Sequence, residues 1–257
     1  MLKARVRLAQ LVVLALFVAG WEIITYFKIV SKFILPSPYS VGTTFVEMLG
    51  SKSFTEIPSG IYPQLADTLA EIAGAVAIAA LVALPLGFAI GMRRRVSDIY
   101  EPIIYLLYAI PGIVLYPVIY LVFGIGEPSK VIYGAFLGTW VLAISTIAGM
   151  RQINPQYFRL SKSLKLSHSR ALFKVIIPAA APSIVSGFRL ALAHAIVGVV
   201  AGEIIASNTG LGYVIVFSSQ LSDLNLTYSV ILLVLLVGFL LVEISRVVER
   251  RFLAHAA

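Results

Sequence analysis

The sequence predicts an all-α fold, a polytopic membrane bundle of six transmembrane helices, and three observations lead there. The first is composition. Of 257 residues, 60% are hydrophobic and 12% are charged, with a mean hydropathy of +0.96. A soluble domain carries about 45–50% apolar and about 25% charged residues, so this chain lacks the polar side chains to coat a globule in water. The second is length. The apolar residues gather into stretches of the size needed to cross about 30 Å of hydrocarbon. The third is where the charges fall. There are 20 Lys and Arg against 12 Asp and Glu, a net +8, and the positives alternate between rich and poor segments, as the positive-inside rule requires.

The six stretches are residues 8–27, 72–92, 102–123, 131–150, 184–206 and 228–246, about half the chain. None shows the short alternation of a barrel strand, so the spans are helical. The first follows Lys3, Arg5 and Arg7, as a signal peptide would. Its apolar run continues past Gly20 to Phe27 without a small-x-small cleavage site, so an uncleaved helix is expected. The third is interrupted by Pro111, Gly112 and Pro117. The fifth holds Arg189, His194 and Glu203. With the N-terminus inside, 15 positives lie on the inner side and four (Lys28, Lys32, Lys52, Lys130) on the outer. Both termini are therefore expected on the cytoplasmic side. The basic excess is an orientation signal and calls for no nucleic acid.

The segments between spans differ in character. Residues 1–63 are read as an N-terminal helix plus an outer interfacial part, with a short helical pattern at Val41–Leu49. Residues 64–250 form the core and 251–257 an inner tail. Residues 124–130 read as a tight outer turn, and residues 207–227 as an interfacial or re-entrant piece packed against protein. The inner segment 151–183 has 33 residues, six of them Lys or Arg, where a plain connection in a bundle takes about 2–8. Tyr157, Leu160, Leu164, Leu172, Val175 and Ile176 give it an interrupted apolar stripe, closed by Pro178 and Pro182. Physics alone leaves two readings open: a helix on the anionic inner leaflet, or a dock for a cytoplasmic partner.

The chain has no cysteine, no phosphate-binding loop, no H-E-x-x-H and no G-x-S-x-G, and its three histidines are scattered. It is not expected to be an enzyme or to hold a metal. A channel, a secondary transporter, a membrane scaffold or the pore subunit of a pump driven by another chain all remain possible.

The inner segment then becomes recognisable. Leu164–Pro178, Gly187-Phe188-Arg189, Ala201-Gly202-Glu203 and Gly210-Leu211-Gly212 resemble the EAA-loop signature of binding-protein-dependent ABC importer permeases. Leu35-Pro36-Ser37-Pro38 and Phe123–Lys130 look like the nitrate, sulfonate and taurine branch. The resemblance covers roughly residues 35–250. It implies a type I importer permease fold (MetI-like), and a homodimer served by two ATPase subunits and an extracytoplasmic solute-binding protein in the lipid bilayer. ATP and magnesium would sit on the partner ATPase, with no cofactor and no catalytic residue in this chain. It implies ATPase coupling through Tyr157, Leu160, Lys162, Leu164, Lys165, Ser167 and Arg170. The family has Glu-Ala-Ala and then Gly in this loop. Lys165 stands at the Gly position, so either the turn differs in geometry or the register is off by one.

Inside the spans, Tyr105, Tyr108, Tyr116 and Tyr120 fall within an arc of about 120° at 100° per residue, a face expected to line the translocation pathway or simply to pack. His194 and Glu203 join them as pathway candidates. An acid in an apolar span is expensive and marks function; matching the signature, Glu203 is expected to have a structural or gating role near the outer end. Arg189, about 21 Å along the same helix from Glu203, is expected to snorkel inward or bond loop carbonyls. Small residues recur in the second span (Gly74, Ala75, Ala79, Ala83, Gly87, Gly91) and the fifth (Gly187, Ala191, Ala195, Gly198, Gly202), predicting close helix approach. The expected solute is a sulfonate, taurine or nitrate. Tyr108-Ala109-Ile110 stands where similar anion importers have Arg, which keeps a neutral or aromatic solute such as a vitamin precursor open, as well as a self-contained secondary transporter.

Overall fold

The computed structural model describes residues 2–31, 34–50, 57 and 59–256, with side chains throughout except at 2–7, 155, 158, 160, 162, 168, 169 and 252–256. The described residues are helical, with no strand among them: α1 (Leu2–Tyr26), α2 (Pro38–Gly50), α3 (Ile61–Gly91), α4 (Arg94–Ala109), α5 (Gly112–Phe123), α6 (Glu127–Arg151), α7 (Pro155–Ser163), α8 (His168–Ala171), a π-helical turn (Leu172–Ile176), α9 (Ile177–Ile205), α10 (Leu211–Gln220) and α11 (Leu224–Ala256). Five stretches are long and apolar enough to cross a membrane, and the bent pair α4–α5 brings the number to six.

The third span is where expectation and structure part. The chain turns by 85° between α4 and α5. Ile110 is extended (φ −64°, ψ 124°), the conformation forced on a residue before proline, and Pro111 has no N–H to continue the helix. The inner segment also ends earlier than Pro178 and Pro182 suggested. Pro178 sits in the first turn of α9 and Pro182 inside it; first-turn N–H groups have no helical partner to lose, so α9 is under way by Ile177.

At the centre, α6 lies between α3 and α9. Small residues make this possible. A Cβ on Gly198 would stand 2.7 Å from the Gly134 backbone, and one on Gly138 3.1 Å from the Ala191 carbonyl. The small residues of the second and fifth spans are thus used largely against α6 within one chain. Ile72, Ala75, Val76, Ala135, Ala195 and Val199 fill the space around them.

Two further clusters close the ends. At one end, Met48 of α2, Leu211 and Val214 of α10, Ile61 of α3 and Leu226, Val230 and Leu233 of α11 pack together, so the 38–50 and 211–220 segments are helices seated on protein. At the other end, Met150, Ile153, Ile176 and Ala180 join Phe88, Met92 and Leu172. There Arg151 pairs with Glu101 and, at 3.4 Å, with Asp98. Arg189 meets Glu249 at 2.6 Å, and Ser186 donates to the same carboxylate at 2.8 Å, tying α9 to α11. The helix α1 stands largely apart, exposing Leu11, Leu14 and Phe17. Its attachment is through Trp21, whose Nε1 donates to the Pro36 carbonyl at 3.0 Å and whose ring lies 6.1 Å from Tyr228.

Candidate functional site

A concentration of buried polar groups lies where the N-terminal ends of α3 and α6 and the C-terminal end of α9 converge under α10. Gln64, Thr68 and Glu71 come from α3, spaced so that one helical face presents all three. Lys130 comes from the first turn of α6 and Glu203 from the last turns of α9. Each of these five side chains is 3% exposed or less.

The hydrogen bonds form one connected set. Glu203 Oε1 accepts from Thr68 Oγ1 at 2.6 Å, and its Oε2 accepts from the Gly212 N–H at 2.7 Å. Thr68 Oγ1 accepts from the Leu211 N–H at 2.8 Å, and Gln64 Oε1 from the Gly210 N–H at 2.5 Å. The three amides at the N-terminus of α10, which have no helical partner of their own, are therefore all capped by side chains of two spans. A carboxylate at a helix N-terminus also meets the positive end of the helix dipole. The Lys130 ammonium contacts Glu71 and donates to Ser207 Oγ at 3.0 Å and Thr209 Oγ1 at 3.2 Å, holding the loop between α9 and α10. Gly210 completes the fit: with φ 97° and ψ 167° it occupies a region reserved for glycine, and a Cβ there would fall 2.0 Å from Glu203 Oε1.

The tyrosines predicted to share one face are divided by the bend, because a constant 100° step fails across it. Tyr116 is fully buried. Its hydroxyl donates to the Gly202 carbonyl at 3.0 Å, and its ring lies 4.9 Å from Tyr133 and 5.9 Å from Tyr120. That hydroxyl is already engaged and faces protein, beside the polar cluster. Tyr105 and Tyr108 lie on α4 and remain about half exposed. Tyr108 stands 6.3 Å from the His194 ring, and His194 Nδ1 lies 2.9 Å from the Leu190 carbonyl. The structure thus joins Tyr108 with His194 on an open flank, and Tyr116 with Glu203 in a closed one.

At the opposite end, between α6 and α9, α7 and α8 form a short helical pair. Tyr157, Leu164, Lys165, Ser167 and Arg170 are exposed; the side chains of Leu160 and Lys162 lie outside the described residues. Lys165 has φ 48°, and the Leu166 N–H bonds the Ser161 carbonyl at 3.1 Å. This is the six-to-one bond of a Schellman turn with Lys165 in the left-handed position. Neither of the two readings left open for that residue describes it: the turn is left-handed and Lys165 itself takes it, at a cost of about 1–2 kcal/mol. Phe173, 68% exposed, adds an apolar side chain the stripe did not include.

Sequence reasoning missed Gln64, Thr68, Glu71 and Lys130. Lys130 was placed among solvated outer charges, yet it is completely enclosed, because its partner Glu71 is contributed from 59 residues away by α3. The available signal was Glu71 itself, an acid one position before the second apolar stretch. No group of three or more potential metal ligands occurs among the described residues.

Comparison with known proteins gives the family of the chain. Residues 83–254 match the family described as the binding-protein-dependent transport system inner membrane component. A Bacillus subtilis protein assigned as an aliphatic sulfonates transport permease is 30% identical over 240 residues, covering 93% of this chain and 84% of that one. The Escherichia coli taurine transport system permease protein is also 30% identical over 240 residues, covering 93% and 86%. Among solved structures, an inward-facing MetNI methionine ABC transporter superposes with a TM-score of 0.62 at 18% identity, covering 75% of this chain and 94% of that one, which speaks to the fold alone.

Proposed function

We infer the function from one premise: this chain belongs to the binding-protein-dependent transport system inner membrane component family and is a transmembrane permease subunit of an ATP-driven ABC importer. Its solute is a small sulfonate such as taurine or an alkylsulfonate, with nitrate the next member of the class. What supports this is the identity shared along nearly the whole chain with the sulfonate and taurine permeases. No observation favours a vitamin-like solute or a self-contained transporter.

The machine is two copies of this chain, two cytoplasmic ATPase subunits and an extracytoplasmic binding protein that brings the solute. Both termini face the cytoplasm, so α7 and α8 hang into it. The single observation that carries the coupling role is the stretch from α7 to the π-helical turn, where Tyr157 of α7, Leu164 of the turn after it and Phe173 of the π-helical turn stand exposed, among Lys165, Arg170 and Lys174. ATP and magnesium bind the ATPase, and the Tyr157–Arg170 region passes its motion to α9 through the π-helical turn. Tyr105, Tyr108 and His194 border the solute path. Tyr116, Tyr120 and Glu203 shape its outer end from within the protein.

The test is reconstitution of the chain with its ATPase and binding protein in vesicles. ATP-dependent uptake of labelled taurine or alkylsulfonate is expected. Uptake of nitrate alone would overturn the solute, and failure of the chain to co-purify with the ATPase would overturn the coupling role. Leu164→Asp is expected to abolish that co-purification while leaving the chain folded.

A further inference from the structure

Three ionisable side chains meet inside the polar cluster. Glu71, Lys130 and Glu203 are 2%, 0% and 1% exposed. Were all three ionised, the enclosed site would hold one uncompensated negative charge. An unbalanced ion away from water costs several kcal/mol, and a group so placed neutralises instead.

The oxygen atoms show where the imbalance lies. Both oxygens of Glu203 accept donors, from Thr68 and from Gly212. One oxygen of Glu71 meets the Lys130 ammonium. The other, Oε2, is buried and has no hydrogen-bond partner among the described residues. A buried oxygen without a donor is rare in native proteins and calls for an occupant. The titratable and charged groups facing the Glu71 carboxyl are Lys130 of α6, Glu203 of α9 and the Tyr116 phenol of α5. Glu71 lies one turn along α3 from Thr68, whose hydroxyl donates to Glu203 at 2.6 Å, so both carboxyls line the same enclosed space. Two carboxylates have no hydrogen to share and repel; one hydrogen between them removes both the repulsion and the unmatched oxygen.

We propose that this site binds a proton, carried on Glu71 Oε2 and donated to Glu203. The proton is taken from water as the cluster closes and sits on Glu71 because Glu203 has two donors and the N-terminus of α10 to stabilise its charge. Lys130, neutral Glu71 and ionised Glu203 then form an overall neutral chain that pins α6, α3 and α9 together at their outer ends. Opening those ends to water frees the proton, so closure of the outer end is linked to pH. The inference is independent of which solute is carried.

The test is infrared spectroscopy of the full chain in lipid vesicles at pH 7, in H2O and D2O. A carbonyl band of a neutral carboxylic acid, shifted by deuterium, is expected in the wild type. Raising the pH removes it, the neutral-to-ionised ratio falling tenfold per pH unit as for a single proton. Glu71→Gln has the same net charge as the proposed state, so it folds and lacks the band. Glu203→Gln also lacks it, since Glu71 is then paired with Lys130 alone. Glu47→Gln, at an exposed acid, keeps it. Absence of the band from the wild type overturns the proposal without any variant, as it would if water or a metal cation filled the space beside Oε2. A band that survives Glu71→Gln overturns it as well.

Discussion

Adding one methyl group at Gly210 tests the outer cluster more sharply than removing any of its polar side chains. Two costs arise in Gly210→Ala. The backbone, at φ 97° and ψ 167°, lies where a residue with a Cβ costs about 1–3 kcal/mol. The new Cβ would also fall 2.0 Å from Oε1 and 2.3 Å from Cδ of Glu203. That carboxylate must move, and each charge-assisted hydrogen bond it gives up is worth about 1.5–3 kcal/mol. Losing one bond brings the total to about 3–6 kcal/mol. Gly124→Ala separates the two terms. Gly124 has nearly the same backbone, φ 84° and ψ 163°, with nothing within 4 Å of its Cβ position, so it carries only the first. In thermal melting of the purified chain, at roughly 2–4 °C per kcal/mol for a chain of this size, Gly210→Ala should melt roughly 6–24 °C below wild type. Gly124→Ala should melt well above Gly210→Ala. If the two variants melt alike, the contact with Glu203 has no energetic weight and the capping argument for α10 is wrong.

Other outcomes follow from the same geometry. Lys165→Gly relieves a left-handed lysine and should stabilise the α7–α8 turn by about 1 kcal/mol, read as slower proteolysis of the inner segment. Gly198→Val pushes α9 off α6 at a contact with no room for a Cβ; it should cost about 3 kcal/mol or more, read as a sharp drop in folded yield, while Gly20→Val on exposed α1 should be neutral. A double-mutant cycle of Arg189→Ala and Glu249→Ala should return about 1 kcal/mol of coupling, since this pair is only partly shielded from solvent; a value near zero would mean the tie between α9 and α11 is incidental.

What was legible in the sequence shares one property: it is local. A span is a run of neighbours, a positive-inside count is a sum over neighbours, and the α7–α8 segment betrayed itself by length and charge within 33 residues. The outer cluster is nonlocal in every part. Glu203 could be singled out because an acid in an apolar stretch is costly wherever it goes. What caps it comes from Thr68, 135 positions earlier, from a glycine turn, and from an α10 whose direction no periodicity states. Lys130 shows the failure in the other sense. A count of positives treats every lysine as solvated, whereas this one contacts Glu71 with no exposure at all. The tyrosine arc failed for a different reason, because a helical wheel assumes one axis and Pro111 supplies two. Lys165 marks the boundary between these cases. Backbone sterics argued for another turn geometry or a shifted register, yet the torsion angle, φ 48°, shows the lysine in the left-handed turn itself. The lysine is exposed there, so the strain falls where no core packing has to absorb it.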